Sequence, residues 1–145
     1  MCAHPEARGR IALSWWDDPS RQRLQGLFRE AITEIGAAAP ADIPGGHAIF
    51  RFSDSDELRR LLEGAGLADV VVRGHQTTYL IPDVETLWRG GLGSLAMVGS
   101  AISHQDDATQ ASIRKALERR AAAYKTPAGL EIPIAFKIGS GQKVN

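Results

Sequence analysis

Cysteine is almost missing from this chain. Cys2 is the only one in 145 residues, so no disulfide can close within the chain and a cysteine-rich metal site is excluded. Such usage fits a reducing, cytoplasmic setting. Excess charge is missing as well: Lys plus Arg and Asp plus Glu number 17 each, which removes any general pull towards nucleic acid or an anionic membrane. Neither is expected as a partner. Long hydrophobic runs are absent too. The longest uncharged stretch, Gly90 to Ser103, is short and carries four glycines, and Met1 to Arg8 has no apolar signal-peptide core, so the reading is a soluble protein. The four histidines, His4, His47, His75 and His104, lack metal-ligand spacing.

What is present is the alternation of an α/β domain. A chain of this length buries roughly 70% of its unfolded surface, enough for one compact domain, residues 1–145, without staples. Ile11-Ala12-Leu13-Ser14-Trp15-Trp16 reads as a buried strand. Leu24, Leu27, Phe28, Ala31, Ile32 and Ile35 form the apolar stripe of a helix between Asp18-Pro19 and Gly36, and Ala37 to His47 reads as a loop. Ser53 with Asp56 resembles a capping box for a second helix, whose stripe is Leu58, Leu61, Leu62 and Ala65. Val70 to Ile81 predicts a strand of six to ten residues, half buried in its second part. Asp83 is placed as the cap of a short helix with Val84, Leu87 and Trp88. Glycines 90, 91, 93 and 99 then predict a broken, adaptable segment suited to a lid, since each weakens helix by roughly 1 kcal/mol relative to alanine.

Asp106-Asp107 is expected to cap a helix burying Ile113, Leu117, Ala121 and Tyr124, with Arg114, Lys115, Glu118 and Arg119 on a solvated face. Leu130, Ile132, Ile134, Phe136 and Ile138 alternate with other residues as a final strand, followed by a frayed tail from Ser140. Pro133 cannot donate to a ladder. Either the strand bulges there, or one of its sides is an edge.

In their order these segments resemble part of the class I S-adenosylmethionine-dependent methyltransferases. Arg8 to Trp16 resembles the family's fifth strand, Phe52 to Val70 with Ala65-Gly66-Leu67 its passage from helix into the sixth strand, 82–125 its helical insertion or cap, and Leu130 to Ile138 its seventh strand. The resemblance covers the C-terminal half of the family only. It implies an incomplete Rossmann-like methyltransferase sheet of the last three strands, one of them antiparallel, with a helical insertion. The donor-binding half has no counterpart: no glycine-rich loop follows a strand, and Gly90-Gly91-Leu92-Gly93 follows a helix. No S-adenosylmethionine site is therefore expected in this chain, except as completed by another chain or by upstream sequence.

By the same resemblance, Trp15, Trp16, Phe50, Phe52, Trp88 and Met97 are the candidate substrate-binding residues, around a mainly apolar cavity for a small flat molecule. Core packing is the competing reading for the tryptophans. Asp17-Asp18 is read as a helix cap rather than a substrate polariser, and Ser14 lacks the glycines of a nucleophile elbow. No catalytic residue emerges. Three accounts remain open: a methyltransferase-related domain that keeps its acceptor-side pocket and is inactive alone; a non-catalytic small-molecule-binding or homodimeric assembly module; or a truncated fragment of a complete enzyme. A homodimer is expected through the Ile11–Trp16 strand edge or through helical faces.

Overall fold

A computed structural model describes residues 9–37 and 49–143. The Ala37–His47 loop beyond Ala37, the N-terminal octapeptide, His4, His47 and the last two residues lie outside the described residues. Within them the protein is α/β, with five helices and a four-stranded antiparallel sheet. In chain order these are β1 (Arg10–Trp16), α1 (Arg23–Ile35), α2 (Ser55–Gly64), β2 (Leu67–Ile81), α3 (Val84–Ser94), α4 (Ala96–Ser103), α5 (Asp107–Ala121), β3 (Lys125–Thr126) and β4 (Gly129–Lys143). The sheet order is β1-β4-β2, with the two-residue β3 paired to the start of β4. The first strand thus pairs with the last, and β4 lies between the other two long strands.

The chain divides into two compact units. The first comprises residues up to Asp18, Ala48–Gln76 and Ala135 onward; the second comprises Pro19–His47 and Thr77–Ile134, so β2 and β4 contribute to both. The expected helical insertion, 82–125, falls inside the second.

In the first unit, β1 runs antiparallel to β4 from Arg10 opposite Gln142 to Trp16 opposite Phe136. Two flanking bonds, Asp17 N to Ala135 O at 3.1 Å and Lys143 N to Gly9 O at 2.9 Å, join residues that face each other in this register. In an antiparallel ladder, bonded and non-bonded pairs alternate. The odd-numbered residues of both strands therefore turn their backbone polar groups towards one another, and the even-numbered residues of β1 turn theirs away. This also accounts for Pro133. As an odd position of β4, its missing N–H would point to the β1 side, two residues past the rung at which β1 has ended. β1 has ended there, so on that side Pro133 owes no ladder bond, and the buried positions of β4 change from even at Leu130 and Ile132 to odd from Ala135 to Gly141.

Several expectations change. β1 is not buried: Ile11 is 48% exposed, Leu13 40% and Trp16 42%. β2 is longer than expected and its second part is exposed from Arg73 to Leu80 before Ile81 is buried. β4 continues through Ser140 to Lys143, held by Arg10, Ile11 and Ala12 opposite, so the predicted frayed tail is strand up to that point. α1 starts later than Asp18-Pro19: its cap is Gln22, whose side chain accepts from Leu24 N, while Gly36 closes it at φ 70 in the left-handed region open to glycine. Asp54, not Ser53, caps α2, accepting from Asp56 N and Glu57 N.

The second unit holds the principal core. Leu27, Phe28 and Ala31 of α1 pack with Ile113, Ala116, Leu117 and Ala121 of α5, and Leu87, Trp88, Val98 and Ile102 complete the cluster with Ile81, Leu130 and Ile132. Asp83 and Asp106 cap α3 and α5 as the sequence predicts, each accepting from the amide three residues on at 2.7 Å. The glycine-rich segment does break, at Leu95 between α3 and α4, but not at its glycines. α3 runs straight through Gly90, Gly91 and Gly93. Two of these glycines are points of close approach: a methyl on Gly91 would enter the Phe28 ring, and one on Gly99 would meet the Leu92 carbonyl. Their spacing serves tight packing rather than a lid.

The charged side of α5 is likewise not simply solvated. Arg120 bonds Glu30 at 2.9 Å and Glu34 at 2.8 Å, Arg119 pairs with Glu34, and Arg114 reaches Glu85 at 2.5 Å. Arg23 adds a two-pronged contact to Glu30, 2.7 and 3.0 Å, and donates to Tyr124 Oη at 2.9 Å. The Arg23 bond holds the Glu30 carboxyl below its ordinary value of 4.5. Backbone amide bonds likewise hold Asp54, Asp83 and Asp106 below 3.8. Folded values lower than unfolded ones mean that these groups stabilise the fold above the unfolded values and cease to do so as pH falls through the folded ones. Thermal unfolding followed by circular dichroism should therefore give a midpoint that falls steadily below about pH 4. Glu30→Gln should blunt that fall; an unchanged acid limb would count against the Arg23–Glu30 contribution.

Candidate functional site

In the second unit the end of β2 meets the start of α3 with almost no connection. Pro82 cannot extend the ladder and Asp83 caps the helix at once, so Ile81 lies beside the first turns of α3. A cavity of about 190 Å³ forms here, lined by Leu24, Tyr79, Ile81, Thr86, Leu87, Gly90, Gly91, Ser94 and Leu95. Its walls are mostly aliphatic. Gly90 and Gly91 contribute to its floor without side chains, and Ser94 Oγ is held by the Gly90 carbonyl at 2.6 Å. The cavity opens to solvent past Tyr79, Thr86, Gly90 and Ser94, and its volume is that of a single aromatic ring and its surroundings.

Two larger hollows are less suited to a ligand. One of about 430 Å³ follows the β3–β4 turn, where Asp83 Oδ1 already accepts from Thr86 N and Thr126 Oγ1 bonds within the turn. Another of about 450 Å³ is edged by Glu30, Glu34 and Arg120, which are paired with one another.

In the first unit the structure brings together two of the six candidate residues: the Trp15 and Phe52 rings meet edge to face at 5.0 Å, and Trp15 Nε1 donates to Ile49 O at 2.7 Å. Phe50 is half-buried just before Phe52, and Trp16 is exposed. Trp88 and Met97 belong to the second unit. Trp88 is core, 8% exposed and stacked on Phe28 at 6.4 Å, and Met97 is half-buried on α4. None of the six lines the 190 Å³ cavity. The residues that do line it carried one legible sign, a glycine pair on a helix next to a strand end, which clears space where side chains would stand.

Asp17 is not a helix cap. Its carboxylate is buried, 2% exposed, and receives Lys137 Nζ at 2.8 Å as well as Asp18 N at 2.8 Å. No sequence signal joins residues 120 positions apart. His75 stacks on Phe136 at 5.4 Å, and His104 Nδ1 lies 2.8 Å from Ser100 O. Among the described residues no group of three or more histidine, cysteine or acidic side chains could hold a metal ion, and no helix is long and apolar enough to cross a membrane.

In Rossmann-like folds a nucleotide-type cofactor is bound by backbone amides at a glycine-rich turn between a strand and a helix, the kind of site S-adenosylmethionine would require. The two strand-to-helix turns here do not fit it. Asp17-Asp18-Pro19-Ser20-Arg21-Gln22 and Pro82-Asp83 contain no glycine, and both aspartates that begin them are engaged, one by Lys137 and one by α3. A scan of protein-family models finds no match to this chain, and a search of curated proteins finds no significant match.

Proposed function

We propose that this chain is the acceptor-side half of a class I methyltransferase-like sheet, able to hold a small, largely apolar molecule but not the methyl donor. The observation that supports this reading is the β1–β4 ladder. The family's fifth and seventh strands are neighbours, and their counterparts here, at opposite ends of the chain, pair antiparallel with β2 beyond β4. No hairpin or other local connection brings β1 to β4. The cavity between β2 and α3 then takes the place of an acceptor pocket. It suits one largely apolar ring, because aliphatic side chains and glycines make up most of its lining and Tyr79, Thr86 and Ser94 supply its hydroxyls.

Calorimetric titration with phenol, a single-ring probe, should give saturable binding at millimolar concentrations. Gly90→Leu, which places a side chain in open space at the cavity wall, should weaken it at least tenfold. Gly93→Leu is the matched control, an open helical glycine outside the lining, and should leave binding unchanged. Equal effects from both variants would overturn the assignment of the cavity.

A further inference from the structure

We infer that β1 is a self-pairing edge, and that two copies of this chain join β1 to β1 antiparallel in a register centred on Leu13. The inference is independent of the methyltransferase reading. Among the described residues β1 has one partner strand, β4, and it stands at the end of the order β1-β4-β2. The register fixed by Asp17–Ala135 and Gly9–Lys143 sends the N–H and C=O groups of Arg10, Ala12, Ser14 and Trp16 away from β4. That is a complete row of alternating donors and acceptors on the outer side of a seven-residue strand.

The usual protections of an edge are weak here. β1 has no proline, no lysine and one charge, Arg10, and it exposes Ile11, Leu13 and Trp16. β2, the strand at the other end of the order, carries Asp69, Arg73 and His75 and a glycine at 74. Charge and irregularity guard that edge, not this one.

A second copy fits because the strand is self-complementary. In antiparallel pairing only even residues can bond even residues across the new seam, which restricts a two-fold pairing to a few registers. Centring on Leu13 alone pairs all seven residues. Arg10 then faces the partner's Trp16, matching a guanidinium to the electron-rich face of an indole, and Ala12 faces the partner's Ser14. On the other face Leu13 meets the partner's Leu13, and Ile11 meets the partner's Trp15. The exposed Ile11 and Leu13 are joined into one row across the seam, Trp16 lies on the opposite face against the partner's Arg10, and the two sheets become one.

Two substitutions separate this seam from the fold itself. Ala12→Pro removes an N–H that points away from β4, so it should abolish the dimer while leaving thermal unfolding nearly unchanged. Leu13→Cys in a Cys2→Ser background places two thiols at a non-bonded antiparallel pair, about 4.5 Å between Cα atoms and within disulfide reach, and should cross-link under mild oxidation. Ser14→Cys, whose copies sit diagonally at about 7–8 Å, should cross-link poorly. Sedimentation should show the parent chain as a dimer at tens of micromolar. A monomeric parent chain would overturn the inference, whether because its own residues cover the edge or for another reason. So would a dimer that survives Ala12→Pro, or cross-linking stronger at Ser14 than at Leu13.

Discussion

Replacing Lys137 by methionine is expected to cost about 3–5 kcal/mol of stability. Methionine keeps the buried stem and removes the ammonium. The Asp17 carboxylate, 2.8 Å from Nζ and 2% exposed, would then stay buried with the Lys137 ammonium removed from beside it. Breaking one side of such a pair costs far more than the pair contributes, because the desolvation of the remaining charge is no longer offset. Total stabilities of 5–15 kcal/mol leave little after a loss of that size. The double variant Lys137→Met with Asp17→Leu removes both charges and should recover part of the loss, the remainder being what Asp17 contributes beyond the pair, the bond it accepts from Asp18 N included. Urea unfolding of the two variants checks this by the shift in midpoint at constant slope. A mild single variant, or a double variant no better than the single, would show that the ion pair is not what holds the end of β1 to β4.

The second large effect distinguishes adjacent glycines. Gly91→Ala should destabilise by about 2–3 kcal/mol, because the new methyl would collide with the Phe28 ring, which is fully buried and stacked on Trp88. Gly90→Ala, one residue earlier in the same helix, meets nothing within 4 Å and should stabilise by up to about 1 kcal/mol. Thermal unfolding of the pair reads the difference directly. Equal responses would mean that α3 does not lie against Phe28 as described.

How much of this was legible in the sequence depended on how local each cause was. The β1 run, the α1 stripe and the Asp83 and Asp106 caps all follow from neighbours within a few residues, and they were placed correctly or nearly so. Exposure was not local. Ile11, Leu13 and Trp16 look like a buried strand because apolar alternation does not reveal whether anything covers the strand. Gly91 and Gly99 read as helix breakers by propensity, yet packing against Phe28 and the Leu92 carbonyl outweighs a cost of roughly 1 kcal/mol each. The Arg119 and Arg120 pairs with Glu34 and the Lys137–Asp17 pair join distant segments, which no spacing rule can connect. The candidate site shows the same division. By propensity the glycine pair reads as a helix-weakening, lid-like segment and not as space beside a strand end, and the aromatic residues expected to line a cavity pack elsewhere.

The proposed division, an acceptor side present in this chain and the donor site supplied elsewhere, is tested most directly by titration with S-adenosylmethionine. Calorimetry of the chain alone, with the donor raised to millimolar concentration, should show no saturable heat while phenol binds under the same conditions. Saturable binding of S-adenosylmethionine in the micromolar range would contradict the account.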